Sequence, residues 1–232
     1  DAEFPEPTVA ARVLAAIGAD DTAHPGFKDV LSTIGDAVDR KKLETALTRS
    51  LTLLWHRKKL IECERPAWAA ANSRLRRYRL TDPYLRFWFR YVDKAQDQIA
   101  RGRADLAQAA FRRDWSSWRG RTIEPVIREA LDHLAVTDSR LAGVESVRPW
   151  WTRDNQTEID VVALTATQSA LLGTIKWRPN KPVSASEMRT LRHAGSAVPR
   201  SQDAVFAAIS PSGEKPEGAD VAFGAEDLLA AW

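Results

Sequence analysis

A chain of 232 residues, 44% of them apolar, has room for one large or two small domains and is too apolar for wholesale disorder. Its net charge of +3 hides an asymmetry: residues 74–121 hold 13 Lys and Arg against 5 Asp and Glu, which leaves the rest of the chain at −5 and points the middle of the sequence toward a polyanion such as DNA. The lone Cys63 excludes an internal disulfide and a Cys-based zinc site, and no apolar run approaches the roughly 18 residues of a membrane span, so a reducing, cytoplasmic setting without a membrane partner is expected. The chain begins at Asp1 rather than Met, which leaves room for a missing N-terminal part.

In chain order, Val9, Val13 and Ile17 mark one face of a first helix with Gly18 as its stop. Residues 27–34 predict a short second helix ending at Gly35. Asp39 is placed to cap a third helix, to about His56, along which Leu43, Leu47, Leu51 and Leu54 form an apolar stripe. Residues 60–64 and 76–80 predict two strands around a polar loop. Three helices and a ribbon form the pattern of a winged helix-turn-helix, with the third helix entering a groove. Arg40, Lys41, Lys42, Arg49, Arg57, Lys58 and Lys59 suit that role, as do Arg74, Arg76 and Arg77 on the ribbon, although such a module also serves protein contacts.

Asp82-Pro83 marks a break. The aromatic run Tyr84–Val92 predicts a helix with its rings turned inward and its arginines on the rim. A helix is expected over 104–119 and, after Gly120, another with Ile123, Ile127, Leu131 and Leu134 buried and Glu124 and Arg128 beside them. From about Gly143 the period becomes 2. Strands are predicted over 144–153, 157–164 and 170–177, then a helix from Ser184 to Ala194 with Ser184 or Ser186 as cap. A strand over 204–209, another over 220–223 and a last helix over 225–232 complete the chain.

Alternate residues of a strand share a face, so Glu158 and Asp160 align on one strand and Thr174 and Lys176 on the next. An antiparallel hairpin puts Asp160 opposite Thr174 and Glu158 opposite Lys176. Carboxylates suit Mg²⁺ or Mn²⁺, and a lysine beside them orients water or offsets charge on a phosphate, which is the chemistry of phosphodiester cleavage. The same residues also make a plain Glu158–Lys176 cross-strand ion pair with Asp160 solvated. No G-x-x-x-x-G-K-[S/T] loop occurs, so this chain alone carries no ATPase site. His24, His56, His133 and His193 show no metal-ligand spacing.

The run Arg77-Tyr78-Arg79-Leu80-Thr81-Asp82-Pro83-Tyr84-Leu85-Arg86-Phe87-Trp88-Phe89-Arg90 resembles a signature of the DUF234 family, and Trp150-Trp151, Glu158-Ile159-Asp160 and Lys176-Trp177 resemble its later motifs in order. The resemblance spans about residues 27–209. It implies an α/β chain, α+β overall: a winged helix over 1–82, a helical connector over 83–119 and a restriction-endonuclease-like αβββαβ core of PD-(D/E)xK type over 120–232. It implies the C-terminal region of an AAA+ ATPase, with an ATPase domain or self-association as partner. It makes Asp160 a metal-binding acid and Lys176 the motif lysine. Where that family reads G-E-C-K-W, this chain reads Gly173-Thr174-Ile175-Lys176-Trp177, so the second metal acid is Thr174. Either Glu124 or Glu158 supplies the missing charge as a catalytic and metal-binding residue, or cleavage is lost and no Mg²⁺ or Mn²⁺ is needed.

Overall fold

The computed structural model describes residues 7–22, 24–35 and 39–232; the first residues of the expected domain starting at residue 1 lie outside them. The protein is a mixed α/β chain in two compact units, one of residues up to Glu64 with Arg74–Trp118, the other of Arg65–Ser73 with Arg119–Trp232.

The first unit opens with α1 (Pro7–Ala19), α2 (Phe27–Thr33) and α3 (Arg40–Thr52), which runs on through a π-helical turn, Leu53–Arg57. Asp39 caps α3 by accepting from the Lys42 N–H at 3.1 Å. Leu47, Leu51 and Leu54 are buried with Val13, Ile17, Val30 and Leu31, as the leucine stripe requires. The ribbon β1 (Ile61–Glu64) and β2 (Arg77–Leu80) is antiparallel, Ile61 opposite Leu80 and Glu64 opposite Arg77. Gly18 does not stop its helix. A Cβ there would lie 2.7 Å from Phe89 Cβ and 2.8 Å from Leu80 Cδ1, so the glycine permits close packing and α1 ends a residue later. Gly35, at φ +102°, does follow α2 in the left-handed region.

Residues 83–118, read from sequence mostly as a connector, belong to this unit. Asp82 Oδ1 accepts from Tyr84 N at 2.7 Å and Leu85 N at 3.1 Å, capping α4 (Pro83–Phe87). A π-helical turn, Trp88–Val92, then leads into α5 (Asp93–Ala100). Helical spacing splits the aromatic run between two faces, residues 85 and 89 on one and 87 and 91 on the other. Leu85 and Phe89 pack on the α1–α3 core, whereas Phe87 and Tyr91 meet Phe111, Trp115 and Trp118, with Trp115 stacked on Trp118 at 5.4 Å. The arginines are not all on the rim. Arg86 is buried, and Arg90 bonds Asp21, the Ala19 carbonyl and Asp114.

The expected break at Gly120 is absent: α6 is one helix, Ala104–Leu134, with Gly120 and Pro125 inside it, and the division between the units falls within it. A helical glycine costs only about 1 kcal/mol, which side-chain packing readily offsets.

The sheet of the second unit has the order β3 (Ser146–Trp151), β4 (Glu158–Leu164), β5 (Ser169–Ile175), β6 (Val205–Ile209), β7 (Val221–Phe223). The first two pairings are antiparallel and the last two parallel. Helix α7 (Ala185–Gly195) makes the crossover from β5 to β6 and opens on a capping box, Ser184 with Glu187. The expected helix–three strands–helix–strand order is therefore present, followed by β7 and the short α8 (Ala225–Leu229). Strand alternation sorts the core: Val161, Ala163, Leu171 and Ile175 face Ile127, Leu131 and Leu134 of α6, and Val162, Leu164 and Leu172 face Met188 and Leu191 of α7. The supposedly polar loop 65–73 is part of this unit. Ala67 N bonds the Pro149 carbonyl at 2.9 Å, and Trp68 Nε1 donates to Ser169 Oγ at 2.8 Å.

A candidate site at the ends of two central strands

Strands β4 and β5 pair Val161 with Gly173 and Val162 with Leu172, and one step further that register sets Asp160 against Thr174 as expected. A one-residue irregularity at Leu164 absorbs the asymmetry of the connecting loop without disturbing this end. Asp160 Oδ2 accepts from Thr174 Oγ1 at 3.1 Å and from the Ile175 N–H at 2.8 Å, and Lys176 Nζ lies 3.8 Å away. Asp160 is therefore engaged rather than merely solvated. Lys176 follows the last residue of β5; its N–H, bonded to the Ile209 carbonyl at 2.9 Å, fixes the direction of the chain there. Its ion pair reaches diagonally to Asp160. Glu158 sits exposed at the start of β4, opposite Trp151.

Helix α6 brings Glu124 and Arg128 to the same place. Arg128, 5% exposed, donates from one guanidinium nitrogen to the Asp160 carbonyl at 3.1 Å, and that nitrogen lies 3.8 Å from Glu124 Oε2. Burial, followed by the negative charge of Asp160 and then of Glu158, pushes the Glu124 carboxyl up to about 8, against the opposing pull of Arg128 and Lys176. At neutral pH Glu124 mostly keeps its proton. Sequence reading passed over Arg128 as a site residue. The available signal was an arginine four residues after Glu124 and next to the buried Ile127, where a charged side chain needs an internal partner.

The donors around Asp160 bear directly on whether these residues suit Mg²⁺ or Mn²⁺. Such an ion wants free carboxylate lone pairs, whereas Oδ2 already faces a hydroxyl, an amide and an ammonium. Glu124 faces a guanidinium, and Thr174 spends its proton on Asp160. Among the described residues no three His, Cys, Asp or Glu side chains are grouped to hold a metal ion. The residues present are a poor fit for a divalent cation.

The remaining basic candidates belong to the first unit. Arg40, Lys41 and Lys42 form the exposed first turn of α3, with Arg40 near Glu44 and Lys42 near Asp39 at 3.4 Å each. Arg49 is exposed farther along the same helix. Arg74 is exposed and Arg76 and Arg77 are half-buried where β2 begins.

Residues 88–190 match the DUF234 family. The family is described as archaeal and bacterial proteins of unknown function. The match takes in Trp150-Trp151, Asp160 and Lys176, while most of the Arg77–Arg90 run precedes it. The chain is also similar to an uncharacterized protein of Methanocaldococcus jannaschii, 26% identical over 180 residues. That alignment covers 77% of this chain and 38% of the relative, so the chain spans about two fifths of the relative's length. No solved structure matches it significantly. No helix among the described residues is long and apolar enough to cross a membrane.

Proposed function

We propose that this DUF234 chain is a DNA-binding module whose second unit carries a nuclease-like site of PD-(D/E)xK type that has lost metal-dependent cleavage. One observation carries the reading: an aspartate, a hydroxyl and a lysine stand together at the ends of two adjacent strands, and the hydroxyl of Thr174 bonds Asp160 where a second acid would complete a metal site. A hydroxyl is a poor Mg²⁺ ligand compared with a carboxylate, so the fold persists without the two-acid clamp that cleavage needs.

DNA binding is supported by the first unit. Its helix–helix–helix–ribbon order suits a winged helix-turn-helix, with α3 as the helix that enters the groove. Residues 40–59 hold seven Lys and Arg against the single acid Glu44. Three of those cations, Arg40, Lys41 and Lys42, occupy the first turn of α3, where the helix dipole disfavours positive charge by about 0.3–1 kcal/mol each. Phosphate oxygens brought to that turn meet the exposed cations, while Asp39 caps the helix N–H of Lys42.

Titration with duplex DNA tests this reading. Affinity should fall steeply as salt rises, with log K losing about 0.9 per contacted phosphate for each tenfold in salt. Absence of binding at low salt, or affinity indifferent to salt, removes the proposal. A second reading, the regulatory or self-associating part of an AAA+ ATPase, rests on the resemblance of the Arg77–Arg90 run and the later motifs alone. A mass in solution above one chain, together with no DNA binding, would favour it.

A further inference from the structure

Arg128 is the most deeply buried charge at the candidate site, where it reaches the backbone of Asp160 and the carboxyl of Glu124. A guanidinium stays protonated in a protein and is costly to desolvate unless it is partnered. Arg128 donates to the Asp160 backbone carbonyl at 3.1 Å and lies 3.8 Å from the Glu124 carboxyl. Lys176 adds a second positive charge 3.8 Å from Asp160 Oδ2. A divalent cation approaching Asp160 Oδ2 or Glu124 Oε2 would therefore come close to the Lys176 ammonium or the Arg128 guanidinium.

We propose that Arg128, together with Lys176, is the resident counter-cation of this site, holding Asp160 in place electrostatically and making the site independent of metal. The inference rests on the nuclease-like reading of the second unit and needs nothing from DNA binding. In this arrangement Arg128 is a positioning residue: through the Asp160 carbonyl it fixes the end of β4, and through its charge it occupies the electrostatic place of an ion. The missing second acid and the buried arginine then belong together. Thr174 removes one negative charge that a metal would have balanced, and Arg128 balances what remains.

Mn²⁺ binding to the full chain, followed by the electron-spin resonance of free Mn²⁺ without DNA, tests this. Four proteins are compared: the unaltered chain, Asp160→Asn, Arg128→Lys and Arg128→Met. The expected result is that the unaltered chain and Asp160→Asn bind Mn²⁺ equally weakly and that Arg128→Lys, which keeps the charge, behaves like them. Arg128→Met should bind about tenfold more tightly, since removing one charge at this range exceeds that factor even at an effective dielectric constant of about 20. A merely structural arginine would not move Mn²⁺ affinity. If Arg128→Met does not fold, Arg128→Gln replaces it, and the comparison of the unaltered chain with Asp160→Asn stands without either. Mn²⁺ binding by the unaltered chain that is about tenfold weaker in Asp160→Asn overturns the proposal, as does a folded Arg128→Met or Arg128→Gln with no gain. That first result would leave the nuclease-like ancestry of the second unit standing and remove only the loss of its metal.

Discussion

Helix α3 of the first unit and the candidate site of the second handle positive charge in opposite ways. On α3 of the first unit, Arg40, Lys41, Lys42 and Arg49 are turned to solvent. In the second unit Arg128 is turned inward, and Lys176 leans on Asp160. Outward charge remains available to a polyanion and contributes little to folding, whereas inward charge is committed to the fold and unavailable to a ligand. A count of basic residues along the sequence treats the two alike; burial separates them.

The contrast breaks if inward and outward arginines cost the same to remove. Arg128→Met should lower unfolding free energy by about 1–3 kcal/mol in urea titrations, the range for leaving a buried polar group, here the Asp160 carbonyl, without its donor. Thr174→Val should cost about 1–3 kcal/mol, because the half-buried, charged Asp160 Oδ2 is left with one donor fewer. Glu124 sharpens the contrast through pH. Its folded-state value of about 8 exceeds the ordinary 4.5, so folding takes up a proton between those values. The stability this group contributes is full below about pH 4.5 and is lost as pH rises through about 8, and Glu124→Gln should flatten that decline. The smallest effect on stability belongs to the outward face. Lys41→Gln with Arg49→Gln should leave stability within about 0.5 kcal/mol while reducing the salt slope of DNA binding by about 2.

Much of the fold was legible because its signals are periodic. The leucine stripe of α3, the Asp39 and Ser184 caps and the β4–β5 register all follow from local spacing. Gly18 and Gly120 were misread for one reason. A glycine's effect depends on what approaches it, and Phe89, which approaches Gly18, lies 71 residues away in sequence. The aromatic run was half legible: inward rings follow from hydrophobicity, but that both of its faces, 85/89 and 87/91, find a packing partner depends on the distant Phe111, Trp115 and Trp118. At the site, strand alternation brought Asp160, Thr174 and Lys176 together, whereas the grip of Arg128 on the Asp160 carbonyl required the helix to be placed on the sheet. The loop 65–73 reads as polar, yet Trp68 ties it to Ser169, a partner no local pattern identifies.

The most direct measurement mixes labelled duplex DNA with the protein in Mn²⁺ and reads the bound and cut fractions from one reaction. The account predicts DNA that is bound at low salt, released at high salt and never cut. Cutting that disappears in Asp160→Ala would contradict it, because the site would then be a working metal centre despite Thr174 and Arg128.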